Sequence, residues 1–409
     1  MMLQSTFRAF RHRDYLIFWC GLFLGHSGTL IQTTAQSWLI FQLTNSPFYL
    51  GLEGLCIGLP RVFFSPVGGA VVDRANRKLI FVLTQTAFFV MALLLGVLDY
   101  LGAIRVWHLL LASTLTGFLV SFEQPVRQSI LHHLVPRADL PNAVTLYQMV
   151  FNGSMLFGPS IGGMLIPFVD TQGCFFVATG GNLIVLLTIF MIHIHPAEKA
   201  PGKSSLARDT IEGLHLAWST PVFLALLSAL AIVTFCTKPY TQFMPVFARD
   251  ILEVGAPGLG LLLMAPGAGA ILGGLSLASV RRFPKPHLLL FFLAAGFGTS
   301  IVFFAASRHF LLSLMLLFVA GGFQTTFLST VATLLQVHAA EQNRGRIMAL
   351  FGMINRGLGP MGSFPFGLLA SAVGASWTVS LCGVLTVALI GYITLLRPQL
   401  RFAKPIGEA

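Results

Sequence analysis

The chain has 409 residues, of which 55% are hydrophobic and only 10% are charged. Soluble globular domains carry about 25% charged residues, so this composition excludes a soluble protein and indicates that the lipid bilayer is its solvent. The net charge of +11 raises the question of a nucleic-acid partner, and the positions of the basic residues answer it.

The 25 Lys and Arg residues concentrate on one side of the predicted spans. With the N-terminus placed in the cytoplasm, nineteen of them are cytoplasmic, whereas only Arg105, Arg249 and Arg308 face outward. The remaining three lie inside apolar segments. Because cytoplasmic loops of membrane proteins are enriched in Lys and Arg, the charge is a topology signal. We therefore expect both termini in the cytoplasm, the bilayer as a partner and no nucleic acid.

Three long apolar runs open the chain. The first extends from about Tyr15 to Leu43, the second from Phe48 to Val72 and the third from Leu79 to Leu98. At 1.5 Å per residue, each is long enough to cross about 30 Å of hydrocarbon. The three runs predict consecutive transmembrane helices.

The turn between the second and third runs carries one acid and three bases. Its pattern is G-x-x-x-D-R-x-x-R-K, formed by Gly69, Asp73, Arg74, Arg77 and Lys78. A loop that only follows the positive-inside rule needs the bases but neither the acid nor the preceding glycine. The pattern resembles the signature loop of the major facilitator superfamily of transporters.

The next runs complete a first set of six. The fourth begins near Val106 and loses its apolar character at 122–125, where we expect Pro125 to end the helix and a polar stretch to enter the cytoplasm. The fifth extends from about Leu140 to Val169, and the sixth ends near His193. Within the fifth run, Gly158, Pro159, Gly162 and Gly163 resemble the motif typical of exporting antiporters, although Ser154 replaces a glycine usual in that motif.

A polar insert, 195–221, predicts a cytoplasmic linker between an N-terminal half, 1–194, and a C-terminal half, 222–409. Six further apolar runs follow, near 222–247, 259–280, 287–306, 310–337, 345–372 and 377–396. The halves repeat, because Gly158-Pro159 recurs as Gly359-Pro360. The bases Arg74 and Lys78 also recur, as Arg281 and Lys285, although the second loop lacks the acid.

The predicted fold class is therefore an all-α integral membrane protein with twelve transmembrane helices in two parallel six-helix repeats, which is the major facilitator fold. Two further segments indicate a particular branch of this superfamily. Residues 334–351 and Gly213 to Pro221 resemble the bacterial branch that includes macrolide efflux pumps and the enterobactin exporter. This resemblance implies the bacterial inner membrane as the location and small-molecule transport as the activity.

Charged residues within the spans are candidate functional groups, because each costs about 2.5–3.5 kcal/mol at a helix centre. The second span holds Glu53 and Arg61, the seventh holds Lys238, the eleventh holds Arg356, and Glu123 lies at the predicted end of the fourth. Glu53 and Lys238 fall at similar depth near the outer side, by helix rise. They predict a switchable pair that couples proton binding to the periplasmic gate; a static structural pair is the alternative.

Uncharged polar residues mark a predicted cavity. They are His26, Gln32 and Gln36 on the first span, Thr237 on the seventh and Gln324 on the tenth. The family fold implies that the first, fourth, seventh and tenth spans line the cavity, which agrees with this distribution. Hydrogen bonding between helices is the alternative for any one of them, and a packing role is the alternative to proton transfer for His26.

On the cytoplasmic side, Asp73, Arg77 and Glu123 predict a charge relay that closes the gate in the outward-open state. The resemblance implies that the loop acid also faces the start of the eleventh span, at Arg346, where the positive helix end attracts it. The alternative is a set of solvated surface charges worth about 0–1 kcal/mol.

Near the midplane, Arg61 and Arg356 lie on spans that are neighbours in the family fold. Two guanidinium groups without an acid require an anion, and arginine binds carboxylate or phosphate oxygens bidentately. The substrate is the simplest candidate for that anion. The alternative is that both side chains bind helix-end carbonyl groups or extend toward the interface.

These observations predict a proton-coupled exporter of a small amphiphile, acidic or siderophore-like, that works by alternating access as a monomer. The alternatives are a multidrug or macrolide pump for neutral or cationic drugs and a non-transporting scaffold. Motifs of metalloproteases, serine hydrolases and nucleotide-binding loops are absent from the sequence. The five cysteines show no metal-ligand spacing. We expect no enzymatic activity, no cofactor and no metal.

Overall fold

The computed structural model describes residues 7–192, 206–279 and 286–396, and all regular structure within these ranges is helical. The predicted basic positions Arg281 and Lys285, and residues 195–205 of the predicted linker, lie outside the described residues. The N-terminal half begins with a short 3-10 turn, Arg8–Arg11. Its helices are α1 (Arg13–Thr44), α2 (Pro47–Arg74), α3 (Arg77–Tyr100), α4 (Val106–Leu134) and α5 (Leu140–Met191).

A 14-residue helix, α6 (Leu206–Ser219), lies on the predicted linker and contacts α11 at Gly213. The helices of the second half follow it. They are α7 (Pro221–Thr237), α8 (Gly255–Ser279), α9 (Pro286–Ala306), α10 (Phe310–His338), α11 (Glu341–Met353), α12 (Gly359–Val373) and α13 (Ala375–Leu396). A 3-10 turn, Lys238–Thr241, follows α7, and a π-helical turn, Ile354–Leu358, joins α11 to α12.

Helix α5 has 52 residues, which at 1.5 Å per residue is about 78 Å and far exceeds the membrane thickness. It folds back at Asp170, whose φ of 55° is outside the helical range. Both arms pack on α1: a β-carbon at Gly158 would lie 2.7 Å from the Leu30 Cβ, and one at Gly25 would overlap the Val185 side chain. The two arms correspond to the predicted fifth and sixth spans.

Nine helical segments among the described residues are long and apolar enough to cross a membrane. The folded-back α5 is one of the nine, and neither α1 nor the run 341–373 is among them. The count of twelve spans therefore remains the prediction of the sequence.

The prediction that Pro125 ends the fourth span is wrong, because α4 continues through it to Leu134. A buried helix tolerates an internal proline when neighbouring helices hold it in place. Helix α2 does so here. A β-carbon at Gly117 would overlap the Ile57 carbonyl oxygen, and one at Gly68 would overlap the Ser121 carbonyl oxygen. Residues after Pro125 thus remain inside the bundle.

The two halves meet tightly at one end of the bundle. We call the end where α2 gives way to α3, at Arg77, the basic end, and the opposite end, where α1 turns into α2 at Asn45, the far end. Near the far end, a β-carbon at Gly51 would lie 2.5 Å from the Ser363 carbonyl oxygen, and one at Gly163 would lie 2.5 Å from the Ala256 carbonyl oxygen. Such close backbone approach requires glycine.

The contact between the halves weakens toward the basic end. Along the α5–α8 pair, the nearest backbone atom to a β-carbon at Gly267 is the Met155 carbonyl oxygen, 3.6 Å away, compared with 2.5 Å for Gly163. Along α2, the last close approach is at the π turn, where a β-carbon at Gly357 would overlap the Val62 Cγ2. No described glycine of α2 beyond this level makes such an approach to the second half.

Candidate functional site

A cavity of ≈ 980 Å³ fills the space between the halves on the basic side of that last contact. Helices α2 and α4 form one wall, and α11 with the π turn forms the other. The polar lining residues are Arg61, Ser65, Ser121, Gln124, Gln128, Gln342, Arg346, Asn355 and Arg356. Apolar side chains complete the α11 wall: Met348, Leu350, Phe351 and Met353. A cavity with apolar walls and a few polar groups is typical of a small-molecule site.

Arg61 and Arg356 face this one cavity from opposite halves. Arg61 lies 14 residues into the 28-residue α2, so it is about 21 Å from the start of the helix. Arg356 lies in the π turn, next to Gly357, which contacts Val62. The two arginines are therefore at the same level of the bundle, on the floor of the cavity.

The described lining is positively charged. It contains three arginines and no Asp or Glu. Arg346 pairs with Glu212 of the linker helix, with a distance of 2.9 Å between the Arg346 Nη2 and the Glu212 Oε2. Among the described residues neither Arg61 nor Arg356 forms a salt bridge. Two cationic groups thus face the cavity, and its described lining holds no acid. Glu123, which interacts electrostatically with Arg61, is itself paired with Arg127.

At the far end, a buried carboxyl group connects the halves. The Glu53 side chain on α2 is 0% exposed and accepts hydrogen bonds from the Gln36 Nε2 at 3.3 Å and from the Gln242 Nε2 at 2.5 Å. Gln36 belongs to α1, and Gln242 follows the 3-10 turn after α7. The Lys238 side chain is not among the described ones, so the Glu53–Lys238 pair stays a prediction.

Arg249 forms a second connection at the far end. It follows α7 in the second half, and its guanidinium carbon lies 3.9 Å from the centre of the Phe41 ring on α1. Its Nη1 also donates to the Phe41 carbonyl oxygen at 3.4 Å, and Asp250 binds its Nε at 2.7 Å. A cation over an aromatic ring and a carbonyl group holds the two halves together here.

One polar cluster was missed by sequence reasoning. It lies inside the N-terminal half. Glu123 accepts from the Gln85 Nε2 at 2.8 Å and pairs with Arg127, four residues later, at 3.1 Å. Arg127 is 6% exposed and lies over the Phe151 ring at 4.9 Å, and His26 contacts the same ring at 4.6 Å. The sequence predicts a cytoplasmic position for Arg127, because Pro125 is expected to end α4 there. The i, i+4 spacing of Glu123 and Arg127 was the available signal.

The remaining predicted cavity residues do not line the described cavity. Gln32 is buried on α1, and the Thr237 hydroxyl donates to the Val233 carbonyl oxygen within its own helix. Gln36 donates to the Ser113 Oγ at 2.6 Å, and Gln324 is half-buried on α10. Hydrogen bonding within the bundle accounts for Thr237 and Gln36 in this conformation.

At the predicted cytoplasmic gate, the Arg77 Nη1 lies 2.7 Å from the His133 Nε2, and the Lys78 Nζ lies 5.8 Å from the centre of the Phe190 ring. The side chains of Asp73 and Arg74 are not among the described ones. The relay is expected in the outward-open state, and the cavity here opens toward the basic end, so the relay stays a prediction.

The antiporter-like glycines are packing positions in this conformation. Gly158 and Gly162 pack on α1, and Gly163 packs on α8, where a β-carbon would lie 2.6 Å from the Gly260 Cα. Pro159 lies between them in an unbroken stretch of α5, and Ser154 accepts a hydrogen bond from the Ser27 Oγ at 3.1 Å. The segment therefore connects α1 with the opposite half.

Comparison with protein families gives a match over nearly the whole chain. The family model described as "Transmembrane secretion effector" covers residues 4–404. The chain is 27% identical to the multidrug efflux pump Tap of Mycolicibacterium fortuitum, over 94% of this chain and 96% of that protein. It is 22% identical to the staphyloferrin A transporter of Staphylococcus aureus, over 91% and 93% of the two chains.

Solved structures share the fold. The inward-facing, unoccupied structure of a bacterial homologue of the human lysosomal transporter Spinster matches with a TM-score of 0.72 and 16% identity, over 96% of this chain and 98% of that one. The nucleoside transporter NupG matches with a TM-score of 0.70 and 13% identity, over 95% and 98% of the two chains. These likenesses confirm the predicted fold class, an all-α membrane transporter fold.

Proposed function

The chain belongs to the major facilitator superfamily of transporters, through its transmembrane secretion effector family, and on this premise we propose that it exports a small amphiphilic acid by proton-coupled alternating access. Membership confirms the predicted family and the prediction that the chain is not an enzyme. The substrate, the proton coupling and the direction of transport are the proposal.

The observation that carries the proposal is the pair Arg61 and Arg356 in one cavity without a described acid among its lining. A guanidinium group keeps its charge at any physiological pH and binds planar oxyanions in a forked geometry. Placing two of them in a membrane is unfavourable unless an anion joins them. A carboxylate substrate supplies that anion, and the Met and Phe side chains of α11 accept its apolar part.

The shape of the molecule supports alternating access. The halves are closed at the far end by the glycine contacts, and the cavity opens toward the basic end. The positive-inside rule makes the basic end cytoplasmic, so this conformation would collect substrate from the cytoplasm. Export then requires α2 and α11 to close at the basic end, and α2 and α12 to part at Gly51.

Glu53 supports proton coupling. Its carboxyl group bridges the halves through Gln242 and lies among amides, with no cation among its described contacts. Burying a carboxylate without a cation is far more costly than burying the neutral acid. We propose that Glu53 takes up a proton when the far end is open, which favours closure. A shift of the adjacent 3-10 turn would then bring Lys238 to Glu53 and favour release.

A multidrug activity for neutral or cationic compounds is the second candidate. Two observations favour it: the 27% identity to a multidrug efflux pump and the apolar side chains of the α11 wall. Such a pump would not depend on Arg61 and Arg356. Substrate charge therefore separates the two candidates.

The test is transport by the purified protein in liposomes with an imposed pH gradient. The probes are dansyl-alanine, which carries a carboxylate, its amide dansyl-alaninamide, which is neutral, and tetraphenylphosphonium, which is a cation. We expect gradient-dependent transport of dansyl-alanine well above that of the amide, and loss of this preference in Arg61→Gln. Equal transport of acid and amide, or preferred transport of the cation, would contradict the proposal, and no transport of any probe would favour a scaffold.

A further inference from the structure

The π turn Ile354–Leu358 places two polar side chains side by side in the cavity wall, Asn355 and Arg356. A π-helical turn inserts one residue into an α-helix, and such turns occur often at functional sites. Gly357 then contacts Val62, the residue after Arg61. The cavity floor thus brings together one amide and two guanidinium groups.

Two atoms of this group are buried and have no hydrogen-bond partner. They are the Arg61 Nε, which is a donor, and the Asn355 Oδ1, which is an acceptor. Buried polar groups are nearly always hydrogen-bonded, so each exception requires an explanation. Both atoms belong to side chains that line the cavity, so a small rotation of either side chain would turn its unpartnered atom toward a ligand there.

We propose that the substrate carries a hydrogen-bond donor next to its anionic group, and that Asn355 is the residue that selects for it. The inference rests on the proposed function, because Arg61 is the partner of the anion. The unpartnered donor of Arg61 requires an acceptor, which a carboxylate oxygen provides. The unpartnered acceptor of Asn355 requires an O–H or N–H group, which a simple carboxylic acid at neutral pH lacks.

The substrate class is therefore the hydroxy acids and related acids with a neighbouring hydroxyl or amide N–H group. An acid without that group leaves the Asn355 oxygen buried and unpaired. Sites built to bind a hydroxyl group discriminate strongly against analogues that lack it, for this reason. Because the cavity is open to solvent at the basic end, we expect about tenfold discrimination, the range of one unsatisfied buried hydrogen-bonding group.

The experiment compares dansyl-glycine, whose sulfonamide N–H lies beside the carboxylate, with dansyl-sarcosine, in which a methyl group replaces that hydrogen. Binding to the purified, detergent-solubilised protein is followed by the fluorescence of the dansyl group. We expect dansyl-glycine to bind about tenfold more tightly. Asn355→Leu, of similar volume, should remove this difference by weakening dansyl-glycine only, whereas Arg61→Gln should weaken both ligands by the same factor.

Two results would overturn the inference while leaving the proposed function intact: equal binding of the two ligands by the unaltered protein, or equal weakening of both by Asn355→Leu. The ligand comparison needs no variant, so it stands even where Asn355→Leu does not fold. Absence of saturable binding of both acids would overturn the proposed function as well.

Discussion

The Gln242 side chain donates a 2.5 Å hydrogen bond to the fully buried carboxyl group of Glu53, and this bond crosses between the two halves at the far end. The far end can open only if that bond breaks. A carboxyl group can exchange its proton at that moment, whereas an amide in its place cannot. In the proposed mechanism, this single contact connects the state of the gate with the protonation of Glu53.

We expect Glu53→Gln to abolish the coupling of transport to the pH gradient. The variant keeps a polar side chain of nearly the same shape but cannot carry a proton, so gradient-driven transport of dansyl-alanine should fall about tenfold or more, the usual contribution of a positioned proton-transfer group. Substrate binding in the cavity should be unchanged. The matched control is Glu253→Gln, which neutralises an exposed acid at the same end. Gradient-driven transport at the normal rate by Glu53→Gln would rule out the coupling role.

Closure of the far end should depend on the absence of a side chain at Gly51. A β-carbon there would lie 2.5 Å from the Ser363 carbonyl oxygen and 2.8 Å from the Gly367 Cα. Inserting methylene groups into a packed contact costs about 1–3 kcal/mol, enough to change the ratio of closed to open molecules about tenfold or more. We expect Gly51→Leu to favour the state that is open at the far end.

The measurement is the distance between spin labels on cysteines introduced at Leu101 and Ala372, which are exposed at the far end on opposite halves. Gly51→Leu should shift the distance distribution toward longer values. Gly180→Leu is the control, because no atom lies within 4 Å of a β-carbon at that position. The same distribution in Gly51→Leu and the unaltered protein would mean that the far end does not open by separation of α2 from α12.

The buried pair of Glu123 and Arg127 should stabilise the N-terminal half through charge balance. Removing one partner of a buried ion pair costs about 3–5 kcal/mol, because the other charge is left uncompensated. We therefore expect Arg127→Met to lower the Tm of the detergent-solubilised protein clearly. The double variant Arg127→Met with Glu123→Gln should recover much of the loss, since neither charge remains. A double variant as unstable as Arg127→Met alone would show that the cation over Phe151, rather than the ion pair, is the stabilising contact.

Sequence reasoning placed Arg61 and Arg356 at the same depth because helix rise converts residue number into height. The structure puts both in one cavity. The position of a residue along the helix axis does not specify, however, in which direction around the axis its side chain points. The sequence predicts one continuous seventh span, near 222–247, whereas a 3-10 turn at Lys238–Thr241 follows α7 and presents Gln242 to Glu53. No periodicity in the sequence predicts that rotation.

The burial of Arg127 was missed for a different reason. A proline followed by polar residues normally indicates the end of a helix, and tertiary packing overrides that local signal. The contacts of Gly68 and Gly117 on α2 and α4 join residues that are far apart in the sequence. Their partners cannot be identified without the fold.

The Glu212–Arg346 ion pair should limit how strongly the cavity attracts acids. Arg346 lines the cavity from α11, and Glu212 approaches it from the linker helix α6, outside the described lining. The pair neutralises the third arginine of the site. Both side chains are about one third exposed or more, at 35% and 39%, so solvent weakens the interaction and its effect is modest.

We expect Glu212→Gln to raise the affinity for dansyl-alanine about threefold at low salt, the range of an exposed ion pair, and to leave dansyl-alaninamide unaffected. The gain should disappear as ionic strength increases, because exposed charges are screened. The matched control is Glu341→Gln, which removes an exposed acid at the start of α11. A loss of acid binding in Glu212→Gln would mean that the ion pair holds Arg346 in position for the substrate rather than competing with it.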